Sequence, residues 1–193
     1  KETLVPVSSG STEKCLYREN GVYVVIGGAG GIGEAWTRYM VGRYHAQVIW
    51  IGRREKNDEI EEKIRRVGSP EPLYVSSDAS DMGSLRKACD EIREKYPEIN
   101  GVVHSAIMLS DRSLMNMEED VFRASLSAKI DTSVNMARVF GKTPLDFILF
   151  FSSIMSFAKS AGQSNYAAGC AFADAFARRL SLDTATTIKI MNW

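Results

Sequence analysis

Cysteine is scarce here and badly spaced for its usual structural tasks. The 193 residues contain three, Cys15, Cys89 and Cys170, with no C-x-x-C pair and an odd one over. That argues against a disulfide framework or a zinc site and for a reducing, cytoplasmic setting. No apolar run is long enough to span a bilayer, and no signal-peptide pattern opens the chain. An excess of one charge is also missing. The 24 Lys and Arg balance 24 Asp and Glu, so nothing electrostatic draws the chain to nucleic acid or an anionic membrane. There is no internal repeat. What remains is 45% hydrophobic and 25% charged, an ordinary globular composition at a length that fits one domain with a sizeable core.

Glycine, by contrast, is concentrated. Val22 to Ile26 is a short apolar run, and Gly27, Gly28, Gly30, Gly31 and Gly33 follow it. A helical pattern starts at once with Ile32, Ala35, Trp36, Tyr39 and Met40. Strand, glycine turn and helix in that order make a phosphate site, because free N–H groups and the helix dipole face the anion. Glycine lets the backbone approach a pyrophosphate and lets helix pack close to strand. The spacing is G-x-x-x-G-x-G (Gly27, Gly31, Gly33) rather than G-x-G-x-x-G. A purely structural turn in another α/β protein is the plain alternative.

Residues 1–20 are polar and irregular, with SSGST at 8–12 reading as a flexible connection, so we expect a lead-in over 1–20 and a domain over 21–193. Further strands are expected at 47–51, 73–76, 99–104, 146–151 and 187–191. Helices are expected at 31–44, 57–67, 82–96, 118–140 and 165–182, with Ser80 or Asp81 capping the third. Alternation of this kind predicts a parallel sheet with helices on both faces, and together with the dinucleotide-type glycine turn it implies a Rossmann-like α/β fold, a doubly wound sheet of order 3-2-1-4-5-6. In such a sheet, ligands sit outside the carboxyl ends of the strands. The residues there are the 27–33 turn, Arg53 and Arg54, Asp78, His104 to Ile107, and Ser152 and Ser153. Past the second strand an acidic residue would bind the 2′-OH of NAD, whereas arginine accommodates the 2′-phosphate of NADP. Here two arginines stand there, Arg53 the better candidate.

Tyr166 opens the last long helix, with Cys170 one turn on. Lys129 falls inside the stripe Phe122, Leu126, Ser133 and Met136 of the 118–140 helix, where snorkelling to the helix edge is the plain reading. A phenol with a pKa near 10 needs a neighbouring ammonium to work near neutral pH. Phenol, serine hydroxyl and ammonium together suit carbonyl reduction, with Tyr166 giving the proton and Ser153 polarising the carbonyl. Taken singly, Ser153 could be a helix cap and Tyr166 a half-buried aromatic.

These residues resemble a ketoreductase domain of a modular polyketide synthase, within the short-chain dehydrogenase/reductase superfamily. The likeness is to domains of assembly lines with separately encoded acyltransferases. It runs from about Gly21 to Trp193 and rests on VYVVIGGAGGIG, GRR at 52–54, DASD at 78–81, GVVHSA at 101–106, LSAK at 126–129, FFSS at 150–153 and GQSNYAAG at 162–169. The resemblance implies reduction of a β-keto, or alternatively an α-keto, acyl thioester. The substrate would be carried on an acyl carrier protein beside other domains of a synthase. NADPH would be held by Gly27, Gly28, Gly30, Gly31, Ile32, Gly33, Arg53, Arg54, Asp78, Ala79, His104, Ser105 and Ala106. It makes Tyr166 the proton donor and Ser153 the carbonyl-polarising group, with Ser152 as alternative. It makes Lys129, which matches a family lysine on the preceding helix, the group that favours the tyrosinate. Cys170 occupies the place of the family's asparagine. Leu109-Ser110-Asp111 keeps two residues of the B-type L-D-D signature, and Ala158 stands where A-type members carry tryptophan. Both imply a D-configured hydroxyl, with Asp111 in stereocontrol. Family members continue with a further strand and a substrate lid, which implies that this chain is a piece. A non-catalytic or NADP-sensing Rossmann module, a methyltransferase and a stand-alone short-chain reductase are the rival readings. The first should lack the glycines and tyrosine, and the second should carry a carboxylate in place of Arg53.

Overall fold

The computed structural model describes residues 15–158 and 160–192; the SSGST stretch lies outside them. Strand β1 (Val22–Ile26) is buried on both faces, because successive side chains alternate and both sets are apolar. Val24 and Ile26 enter one core and Tyr23 and Val25 the other. Helix α1 (Gly31–Tyr44), β2 (Gln47–Gly52), α2 (Asp58–Val67), β3 (Leu73–Ser76), α3 (Met82–Lys95) and β4 (Gly101–His104) follow. The second half is α4 (Glu119–Ser127), α5 (Ile130–Phe140), β5 (Phe147–Ser152), α6 (Ser164–Asp183) and β6 (Thr187–Asn192). Side chains cap two of the α-helices. Asn57 accepts the Ile60 N–H at 3.1 Å, and Asp81, not Ser80, accepts that of Ser84 at 2.7 Å.

The six strands are all parallel, in the order β3-β2-β1-β4-β5-β6. Trp36, Met40 and Ile60 of α1 and α2 cover one face, and Leu85, Ile92, Met136 and Phe140 of α3 and α5 cover the other. The order reverses between β1 and β4, which opens a crevice at their carboxyl ends. Among the described residues, no helix is long and apolar enough to cross a membrane.

One element departs from expectation. The single helix predicted over 118–140 is two, α4 and α5, broken at Ala128 and Lys129. The Lys129 N–H turns to the Leu126 carbonyl at 2.9 Å, a tight i→i−3 bond, and the Lys129 carbonyl accepts both the N–H and the hydroxyl of Ser133. Lys129 is also not an edge residue. It is 4% exposed, its Nζ donating to the Phe151 carbonyl at 2.7 Å, so the chain bends where its side chain turns into the sheet.

Candidate active site

The glycine turn is dictated by what lies behind it. Gly27 has φ +85°, open to glycine and strained for other residues, and a Cβ there would run into the main chain of Ala106. A Cβ on Gly28 would overlap the Trp50 ring, and one on Gly33 would meet the Gly28 backbone at 2.6 Å. Trp50 is fixed in turn, since its Nε1 donates to Thr37 Oγ1 at 2.8 Å and that hydroxyl donates to the Gly33 carbonyl at 2.6 Å. Gly30 and Gly31 are exposed, and nothing lies within 4 Å of a Cβ on Gly31. The first i→i−4 bond of α1 is Glu34 N–H to Gly30 carbonyl, at 2.8 Å, and no side chain caps the helix. The N–H groups of Gly31, Ile32 and Gly33 therefore precede the helix's own bonding, an arrangement fit for a pyrophosphate.

A cleft of about 330 Å³ opens beside this turn. Of the expected coenzyme residues, Gly27, Gly30, Arg53, Arg54, Asp78, Ala79, Ser105 and Ala106 line it. Gly28 and Gly33 support the turn from behind, and Gly31 and Ile32 lie at the helix start just outside the lining. His104 is not in the cleft but in the core beneath it, 1% exposed. Neither ring nitrogen has a hydrogen-bond partner of ordinary geometry, and the Lys129 main chain offers only a weak contact. Burial first, then the Lys129 ammonium, push the imidazole down to about 3, so it is neutral. The loop after β3 is shaped by its own residues. Asp78 Oδ1 accepts the N–H and hydroxyl of Ser80 at 2.9 and 2.7 Å. The buried Asn135 Nδ2 donates to the Ala79 and Ser80 carbonyls at 3.2 and 2.8 Å. Sequence reading missed Asn135, and also Lys63 and Tyr74 in the cleft wall, because Asn135 and Tyr74 meet their partners, and Lys63 meets the Ala29 carbonyl, only through the fold.

At the carboxyl end of β5 the fold gathers Ser153, Tyr166, Cys170 and Lys129, each 7% exposed or less. Ser153 and Tyr166 share a hydrogen bond, while the alternative, Ser152, faces Cys170. The phenol is pushed up to about 12 by burial; the Ser153 contact opposes this, and Cys170 and Asp111 add to it. Lys129 meets partners other than the phenol oxygen. The ammonium is bound to the Phe151 carbonyl and faces Cys170 and Asp174. Burial disfavours the charged form of Lys129 and of Cys170 alike, and it raises the thiol against the opposing Lys129 charge, so Cys170 stays protonated. Cys170 touches both Tyr166 and Ser152, the link from phenol to strand end. The Lys129 stem crosses α6 at Gly169, where a Cβ would stand 3.2 Å from its β and γ carbons. Asp111 is held beside the tyrosine, accepting from Gln163 Nε2 at 2.9 Å. Adjacent bonds from Arg112 N–H to the Gly162 carbonyl and from Asn165 Nδ2 to the Ser110 carbonyl latch the loop to the start of α6. Among the described residues no cluster could hold a metal ion.

The sequence model described as the KR domain matches residues 21–193. Polyketide synthase PksN of Bacillus subtilis (strain 168) is 53% identical over 195 residues, covering 100% of this chain and 4% of that protein. Polyketide synthase PksM of the same organism is 49% identical, covering 100% and 5%. The chain thus spans about a twentieth of the length of these relatives. The crystal structure of a ketoreductase domain from the bacillaene assembly line superposes with a TM-score of 0.86 at 30% identity, over 94% of this chain and 46% of that one. A ketoreductase from the macrolactin assembly line gives 0.87 at 28%, over 91% and 37%. On the family match and on two polyketide synthases aligned along its whole length, the chain belongs to the KR domain family.

Proposed function

We propose that the chain is an NADPH-dependent ketoreductase domain. It would reduce a β-keto acyl thioester, tethered to an acyl carrier protein of a polyketide synthase, to a D-configured hydroxyl. The observation that carries the reading is the contact of Ser153, Tyr166 and Cys170 in one buried cluster at the end of β5, on the same sheet edge as the glycine turn and the paired arginines. Two arginines in the cleft wall, with no carboxylate among residues 52–54, support NADPH over NADH. Asp111, latched beside Tyr166, supports the B-type outcome.

A bound reduced nicotinamide supplies the hydride. The chain's own residues do the rest. Ser153 donates a hydrogen bond to the substrate carbonyl oxygen and polarises it. Tyr166, a phenol protonated at neutral pH in any setting and held more firmly so by burial, delivers the proton to that oxygen as negative charge grows there. The Lys129 charge, transmitted past Cys170, stabilises the phenolate left behind. A buried cluster excludes water, which strengthens each of these contacts.

The test is NADPH consumption by the purified full-length protein with a β-ketoacyl thioester surrogate. We expect turnover with NADPH and weak turnover with NADH. In Tyr166→Phe we expect kcat to fall by about a hundredfold or more while NADPH still binds, since the acid group alone is removed. Binding of NADPH without reduction of any ketoacyl thioester would overturn the reductase reading in favour of an NADP-sensing module. Chiral analysis of the product tests the D configuration separately.

A further inference from the structure

We propose that Lys63 is a third cation of the coenzyme's 2′-phosphate site and ties that site to the glycine turn. The inference rests on the NADPH reading above. Lys63 lies on α2 one turn beyond Glu59, and Ile60 and Ile64 on either side of it in sequence are buried in the core, which fixes the helix against the sheet. Its side chain is 19% exposed, against 56% for Arg54. The ammonium has three protons. One goes to the Ala29 carbonyl in the glycine turn at 3.0 Å and one to Glu59 Oε1 at 2.6 Å. Lys63 lines the same cleft as Arg53 and Arg54. It stands between the turn, which is built for a pyrophosphate, and the end of β2, where the adenosine ribose belongs.

The surroundings fit a phosphate rather than a hydroxyl. Glu59 also accepts from Arg54 at 3.0 Å, so one carboxylate holds two cations in place. Tyr74 donates to the Arg54 carbonyl at 2.6 Å and fixes the path of the arginine loop. Arg53, Arg54 and Lys63 carry three positive charges against Glu59 and the Asp78 of the same cleft, a net of about +1 facing the −1.5 to −2 of a phosphate monoester. Ion pairs this exposed add little stability by themselves. A lysine that bridges helix and glycine turn inside the cleft is better placed to bind an anion than to hold the fold.

The test is direct titration of NADPH and NADH, followed by nicotinamide fluorescence, on the full-length protein and on Lys63→Gln and Lys63→Arg. Glutamine keeps a donor for the Ala29 carbonyl and removes the charge. We expect Lys63→Gln to weaken NADPH tenfold or more and NADH less than threefold, and Lys63→Arg to keep NADPH within threefold. Equal loss of both coenzymes would make Lys63 a support of the turn only, and unchanged NADPH affinity would leave it without a role in binding; either overturns the inference. A wild-type protein that does not prefer NADPH would overturn the underlying reading instead, before any variant is made.

Discussion

Gly169 sets how closely α6 approaches the Lys129 stem. Alanine is favoured over glycine inside a helix by roughly 0.5–1 kcal/mol. At this position, however, a methyl group would stand 3.2 Å from two carbons of Lys129, which must give by a few tenths of an ångström. The ammonium end is fixed on the Phe151 carbonyl at 2.7 Å, so the shift falls on the stem that positions the charge. Gly169→Ala should therefore leave the melting temperature unchanged or raise it, and lower kcat roughly three- to tenfold. Loss of both together would mean that the glycine serves folding alone. Much at this scale was legible in the sequence. Tyr166 and Ser153 could be paired from their place after strand and helix starts, and the structure puts them in contact. Lys129 was legible as an oddity on an apolar stripe, but its burial was not. That burial depends on a carbonyl 22 residues away, which no local pattern contains.

Elements formed where their signals are local. Every strand and every α-helix outside the 118–140 stretch lies within two residues of its expected bounds, because apolar periodicity, glycines and caps act over a few residues. The break between α4 and α5 carried no such signal, since both halves are helical in pattern and the bend is set by what Lys129 reaches. Asn135 shows the same limit. From α5 it serves the loop after β3, some 55 residues earlier, giving both amide protons to backbone carbonyls while 7% exposed. Asn135→Ala would strip two buried or half-buried carbonyls of their donor, a loss on the order of 1–3 kcal/mol. The loop that carries Asp78 and Ala79 into the cleft would loosen with it. Denaturant unfolding should show the destabilisation, and NADPH titration a parallel fall in affinity of several-fold. Full retention of affinity in a destabilised variant would separate α5 from the coenzyme site.

Across the whole molecule, the parallel sheet was legible because strands alternate with helices, and its order because the glycine turn marks a dinucleotide-type fold. The fate of individual polar side chains inside it was not, and His104 is the clearest case. Placed by its motif among the coenzyme residues, it is enclosed between β1 and β5 with its ring 6.0 Å from that of Phe150. Its folded pKa, about 3, lies well below the ordinary 6.5. As pH falls below 6.5 the unfolded chain takes up a proton that the folded protein refuses, so stability present above that pH is lost progressively down to about 3. Below pH 6 the loss approaches about 1.4 kcal/mol per pH unit for this one group. Between pH 6 and 5 most carboxylates remain ionised in both states, so the imidazole dominates that window. Unfolding in urea at several pH values, read by the fluorescence of the buried Trp36 and Trp50, should show this slope, and His104→Asn should flatten it whatever its own stability at pH 7. An unchanged slope in the variant would mean that the imidazole is protonated inside the fold. The Lys129 ammonium would then face a second cation, and the charge arrangement assigned to the catalytic cluster would fail with it.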